Sequence, residues 1–199
     1  MILFGITGRK FSGKSFAASL FRKQFIPIID LDEMYNSIFF PGNKGHKILI
    51  NSIGEDVIND NGSINTSKLS LLMCNEVWIK NLVDDILYDE FKFITKKLKT
   101  TFCAHNILLG GIESYITENI DFISNLDFII FINSSIKERV KRMGRMGISG
   151  TLSNKILENE KFYDNIKSEY TINNNSTFVD FENECQSVIQ NIKSQYIND

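Results

Sequence analysis

Gly8-Arg9-Lys10-Phe11-Ser12-Gly13-Lys14-Ser15 meets the pattern G-x-x-x-x-G-K-[ST] at every fixed position, and that pattern marks a loop that cradles a polyphosphate. Such a ligand is held mainly by successive backbone N–H groups, which side chains in the turn would obstruct; Gly8 and Gly13 leave the room. Lys14 can set its ammonium against the outer phosphates. Ser15 opens the following helix with a hydroxyl suited to the magnesium that accompanies them. The expected cradle is the backbone from Phe11 and Ser12 through Gly13, Lys14 and Ser15 to Phe16, with the helix dipole favouring the anion.

The flanks agree with this reading. Met1 to Thr7 is an apolar run of strand length, and Ser15 to Gln24 reads as a helix with Ala17, Leu20 and Phe21 on one side; strand, loop and helix is the order such a site requires. Phe25 to Asp30 is a brief β-branched run with a proline near its start, and it ends in Asp30-Leu31-Asp32. In an open parallel sheet the ligand crevice lies outside the carboxyl ends of the strands. If the strand continues, alternation puts Asp30 and Asp32 on one side, where they would supply a base and a magnesium-water ligand. Otherwise one of them caps a helix beginning near Glu33. Asp32 is the favoured functional acid, and Asp30 stands between the two readings.

Residues 34–64 read as short helices and turns around Pro41-Gly42, Gly45, Gly54 and Asn61-Gly62. From Thr66 the period is helical, with Leu69, Leu72, Met73 and Val77 on one face and Leu82 to Leu98 continuing it. This pair interrupts the α/β alternation, as an acceptor-binding insertion would, or as extra cover for the sheet would; Trp78 fits core or pocket, and Lys96, Lys97 and Lys99 fit a solvated helix end. Asn106 to Leu109 reads as a buried strand followed by Gly110-Gly111-Ile112-Glu113, whose acid would enter the crevice. Asp127 to Asn133 is the clearest strand, its unbroken apolar centre suiting a parallel sheet covered on both faces. The segment with Lys137, Arg139, Lys141, Arg142 and Arg145, broken by Gly144 and Gly147, is either a solvated face or a mobile lid that brings Arg142 or Arg145 onto the phosphates. Tyr170 to Ile172 is a short strand entering Asn173-Asn174-Asn175, which either turns the chain or reads an adenine edge through Asn174. Cys185, Val188, Ile189, Ile192 and Tyr196 mark a final amphipathic helix.

Composition narrows the classes. A chain of 199 residues with 43% hydrophobic content and a formal net charge of −2 can bury a full core and has no bulk electrostatic attraction to nucleic acid or an anionic membrane. Cys74, Cys103 and Cys185 form no metal-ligand or C-x-x-C pattern and read as buried or inert thiols. His46 and His105 read as structural or exposed. No stretch resembles a secretory signal or a membrane span, so a cytoplasmic location is expected. No feature sets the oligomeric state.

Together these segments resemble the dephospho-CoA kinase family. Gly5-Ile6-Thr7-Gly8 with Ser12-Gly13-Lys14-Ser15 is similar to its opening, Ile29-Asp30-Leu31-Asp32 to its I-D-A-D segment, and Asn61-Gly62-Ser63-Ile64 to its D-G-[ST]-L turn. Arg145-Met146-Gly147-Ile148-Ser149 is similar to its lid motif R-D-G-L-S, and Glu169 to Asn174 to its A-D-x-V-I-x-N segment. The acceptor side departs: Tyr88-Asp89-Glu90-Phe91-Lys92 stands where the family has a His-Pro pair, and of P-L-L-F-E only the acid, Glu113, is kept. Within the loop, Arg9-Lys10-Phe11 replaces G-I-[GA].

The resemblance implies one P-loop kinase domain over 1–199, a three-layer α/β/α fold with a central parallel sheet. Its core would be about 1–34, 103–136 and 168–199, with a helical acceptor-binding insertion at about 35–102 and a lid at about 137–167. It implies ATP and Mg2+ as cofactors and dephospho-CoA as the small-molecule partner, phosphorylated on its ribose 3′-hydroxyl. Asp32 would be the base and Lys14 its catalytic companion, while Asp30, Tyr88, Lys92 and Glu113 would form the acceptor site. The altered acceptor motifs leave two other readings open: a kinase of another nucleoside or nucleotide, and a non-catalytic ATP-binding regulator.

Overall fold

The computed structural model describes residues 1–101, 108–112, 126–158 and 160–197; Cys103, His105 and Glu113 lie outside them. The chain divides into two compact units, Met1–Asp30 with Ala104–Asp199, and Leu31–Cys103.

The first unit holds a parallel sheet. Among the described residues its strands are β1 (Ile2–Thr7), β2 (Ile28–Asp30), β3 (Leu108–Ile112), β4 (Phe128–Asn133) and β5 (Tyr170–Asn173), in the order β2-β3-β1-β4-β5. Register sets Phe4 of β1 beside Gly110 of β3 and Phe128 of β4. From β1 the chain goes to one side, reaching β2 and returning to β3, and then crosses to β4 on the other side. The carboxyl ends of β1 and β4 therefore flank a topological switch point, where open α/β sheets hold their ligands.

One sheet face is apolar because β1 and β4 place Phe4, Ile6, Phe128, Ile130 and Ile132 on it at period two. It is covered by α1 (Lys14–Lys23), through Ala17, Ala18, Leu20 and Phe21, and by α8 (Phe178–Tyr196), through Phe181, Cys185, Ile189 and Ile192. Phe128 stacks on Phe4 at 5.1 Å and on Tyr196 at 5.0 Å between ring centroids. The opposite face carries Phe131, against which Tyr163 lies at 6.4 Å. Beyond β4 come α6 (Ile136–Arg145), α7 (Gly150–Glu158) and a 3-10 turn at Lys161–Asn165.

Two strand boundaries differ from the expected ones. Residues Phe25 to Pro27 are not strand: Phe25 takes φ 60, its N–H reaches the Arg22 carbonyl, and the Ile26 N–H reaches that of Phe21. That pattern is a Schellman stop for α1, with Ile26 buried beneath it and Pro27 preventing further helix. β3, in turn, runs through Gly110 and Gly111 instead of ending before them. A Cβ on Gly110 would lie 2.3 Å from Ile28 Cδ1 and 2.8 Å from Phe4 Cζ, so the strand passes here because it has no side chain.

The second unit is helical: α2 (Leu31–Ile38), α3 (Lys44–Ile53), α4 (Thr66–Asn75) and α5 (Val77–Thr101), with a 3-10 turn at Glu55–Val57. Its core includes Met34, Leu49, Leu69, Val83 and Phe91. His46 is structural, as expected, its Nε2 donating to the Gly62 carbonyl at 2.8 Å. Val77 does not share the buried face of Leu69, because α4 stops at Asn75 and Val77 opens α5, 74% exposed. Trp78 is half exposed beside it and is no core residue. Cys74 is exposed and only Cys185, of the two described cysteines, is buried. No helix among the described residues is long and apolar enough to cross a membrane.

Candidate active site

The phosphate loop leaves β1 at Gly8 and enters α1 through Gly13, both with positive φ, 151 and 109. A Cβ on Gly8 would meet the Ile132 carbonyl at 2.4 Å, and one on Gly13 the Asn174 side chain at 2.5 Å. The glycines thus let the loop nest against β4 and the turn after β5. Lys14 Nζ donates to the carbonyls of Gly8 at 2.7 Å and Arg9 at 3.3 Å, curling the loop over its own ammonium. Ser15 is exposed in the first turn of α1, and Phe16 lies half-buried against Phe178 at 4.6 Å. Ser12 is buried, and its Oγ has no hydrogen-bond partner among the described residues. The donor set, backbone cradle, ammonium and first-turn hydroxyl, fits a magnesium-bound polyphosphate.

The residues between the glycines are unusual for such a loop. Phe11 is held at φ 63, which costs a non-glycine residue about 1–2 kcal/mol. External groups hold it there. Arg142 Nη1 donates to the Phe11 carbonyl at 3.0 Å, to the Ser12 carbonyl at 3.4 Å and to Ser134 Oγ at 2.9 Å, and its Nη2 to the Asn174 carbonyl at 2.8 Å. Burial lowers the Arg142 pKa from its ordinary value, Glu138 opposing the shift. Asn174 Nδ2 donates to the Ser12 carbonyl at 2.7 Å. The amides of Asn174 and Asn175 are therefore engaged within the protein, that of Asn175 accepting from the Ser135 N–H at 2.6 Å.

A cavity of about 350 Å3 lies at the switch point, lined among others by Arg9, Asn133, Ser134, Arg139, Glu160 and Asp164. Arg9 pairs with Asp164, and its guanidinium sits 6.0 Å from the Phe131 ring centroid. Of the basic segment, Arg139 is 1% exposed and paired with Glu160, whereas Arg145 is exposed at the end of α6. A wholly solvated face is thus excluded: Arg139, Arg142 and Met143 fall on one side of the helix. Their spacing, i, i+3 and i+4, was the available signal for this. Glu160 and Asp164 had no signal, since single acids in a polar stretch match no pattern.

The acids at β2 are arranged differently from a continuing strand. Asp30 is the last residue of β2, beside Ile112 of β3, and Asp32 is the second residue of α2. The chain turns from strand to helix between them, so the two do not alternate along one strand. In the helical unit, Lys92 Nζ lies 4.2 Å from the Tyr88 ring centroid on α5.

A phosphate loop at the switch point of a parallel sheet with helices on its face defines a P-loop kinase fold of the three-layer α/β/α class. The sequence profile of the dephospho-CoA kinase family matches residues 2–180, and the chain belongs to that family. The dephospho-CoA kinase of Lactobacillus johnsonii is 25% identical over 194 residues, covering 94% of this chain and 96% of that protein. That of Coxiella burnetii is 29% identical over 130 residues, covering 63% of this chain and 64% of that protein. The crystal structure of TT1252 from Thermus thermophilus shares the fold with TM-score 0.77 at 20% identity, over 96% of each chain.

Proposed function

We propose that the chain transfers the γ-phosphoryl group of ATP to the ribose 3′-hydroxyl of dephospho-CoA. The observation that carries the reading is the complete phosphate loop at the switch point, in a chain matched by the family profile over residues 2–180. In this reading the backbone from Phe11 to Phe16 and the Lys14 ammonium bind the β- and γ-phosphates, Lys14 leaving its two loop carbonyls to do so. Ser15 would hold Mg2+, which when bound neutralises charge on the phosphates. Asp32 orients the acceptor hydroxyl and takes its proton as the new P–O bond forms and the bond to the β-phosphate oxygen breaks. Arg142 acts through the loop carbonyls that it holds, and Arg145 is the arginine assigned to the phosphates. Asp30, Tyr88, Lys92 and Glu113 are the residues this reading assigns to the acceptor.

A coupled assay with purified protein, saturating ATP and magnesium tests this. Dephospho-CoA should stimulate ADP release, and Asp32→Asn should cut that rate by about 100-fold or more. Stimulation by adenosine or a nucleoside monophosphate instead of dephospho-CoA would reassign the acceptor, as the Tyr88 to Lys92 replacement allows. ATP binding without turnover on any acceptor would leave a nucleotide-binding regulator.

A further inference from the structure

The loop interior Arg9-Lys10-Phe11 contains no glycine, so its path depends on groups outside it. Glu160, about 150 residues away, accepts the Lys10 N–H through Oε1 at 2.8 Å. Arg139 Nη1 donates to the Lys10 carbonyl at 3.2 Å and also to Glu160 Oε2. One ion pair therefore grips the peptide groups on both sides of Lys10. Both side chains are almost wholly buried, Arg139 at 1% and Glu160 at 5% exposure. A buried pair of this kind is a weak source of stability, because desolvation offsets the attraction, and apolar replacements of similar volume often fold as well. Its distinctive capacity is directional: it fixes one donor and one acceptor of the loop together.

We propose that Glu160 and Arg139 are positioning residues for the phosphate loop. They hold Lys10 so that the N–H groups from Phe11 onward keep the arc that receives the β- and γ-phosphates, a task given to glycines in loops with a G-I-[GA] interior. The Arg9–Asp164 pair, on the same 3-10 turn that follows Glu160, is a second hold on the preceding residue. The pair acts on the nucleotide through the loop and touches no substrate. This rests on the loop being the ATP site, and needs no particular acceptor.

The test is titration calorimetry with Mg-ADP on the full chain, with melting temperatures measured alongside. The double variant Arg139→Met/Glu160→Leu replaces the pair by apolar side chains of similar volume. It should melt near the parent and bind ADP at least about tenfold more weakly. Parent-like ADP affinity in that folded variant would overturn the proposal. Glu160→Gln, nearly isosteric, provides a second reading if the double variant does not fold: it keeps an acceptor for Lys10 and should raise KM for ATP severalfold with little change in kcat. Unchanged KM in Glu160→Gln would overturn the proposal as well. A parent that binds no ADP would overturn the reading of the loop itself, and the positioning role with it.

Discussion

The side-chain nitrogen of Asn174 donates to the backbone carbonyl of Ser12 at 2.7 Å, joining the turn after β5 to the phosphate loop across 162 positions of sequence. Arg142 reinforces the same junction, bonding the carbonyls of Phe11, Ser12 and Asn174. The loop is thus held through its carbonyls by donors from outside, while the Lys10 N–H bonds Glu160 and the Ser12 N–H bonds the Arg9 carbonyl.

That arrangement predicts that Arg142→Lys is nearly as harmful as Arg142→Met. The planar guanidinium reaches four acceptors at once, whereas an ammonium is a point charge with flexible reach. Either change should weaken ADP binding by about tenfold or more and lower stability by about 1–3 kcal/mol, since carbonyls are left without donors. Calorimetry and urea unfolding read the two effects separately. Parent-like behaviour of Arg142→Lys would show that charge alone suffices.

Gly110→Ala should destabilise the fold by about 1–3 kcal/mol, the range for overpacking. The added methyl would lie 2.3 Å from Ile28 Cδ1, which can rotate away, but also 2.8 Å from Phe4, which is pinned by its stack on Phe128. The midpoint of urea unfolding measures this, and an unchanged midpoint would mean that the sheet can spread at no cost.

The start of α8 predicts a pH dependence. Thr177 Oγ1 accepts the Asp180 N–H at 3.2 Å, and the Asp180 carboxylate accepts from the Thr177 hydroxyl at 2.7 Å and its N–H at 3.2 Å. The Thr177 hydroxyl foremost, and then its N–H, hold the Asp180 carboxyl below its ordinary value of 3.8. A depressed acid stabilises the fold above the unfolded value, and that stability is lost as pH falls through the folded one. Asp180→Asn should therefore unfold earlier than the parent at pH 7, with the gap narrowing below about pH 4. A gap that stays constant with pH would exclude the carboxylate as its source.

Cys185 should resist alkylation in the folded protein. Burial, with Glu184 and Glu182 adding to it, pushes its thiol from 9.0 up to about 12, so the reactive thiolate is scarce near neutrality. The raised value also means that the thiol's contribution to stability is whole below about 9 and declines as pH rises toward about 12. Cys74, which is exposed, should be labelled at pH 8 without denaturant. Peptide mass spectrometry distinguishes the two sites; rapid labelling of Cys185 in native protein would contradict its burial.

Much of the nucleotide side was legible from local pattern. Gly8 to Ser15 announced a phosphate loop because backbone donors, small residues and an ammonium must follow one another in fixed order. The apolar runs of β1 and β4 announced a parallel sheet because strands buried on both faces carry no polar alternation. β2 and β3 were misplaced at their ends. The αL stop at Phe25 has no glycine to mark it, and Gly110 reads as a turn until Phe4 and Ile28 are seen on either side.

By itself, then, the sequence determined the chemistry of the loop, the class of sheet around it and the family, because each is carried by short runs whose meaning lies in residues adjacent within the run. Only the tertiary structure decided how that loop is supported. Arg139, Arg142, Glu160 and Asn174 come from segments 129 to 162 residues away and meet the loop through its carbonyls and one N–H. Backbone atoms are the same at every position, so no residue pattern in the loop can indicate which distant side chain binds them. A loop interior of Arg9-Lys10-Phe11 reads locally as a departure, and the buried contacts around it show what replaces the missing glycines.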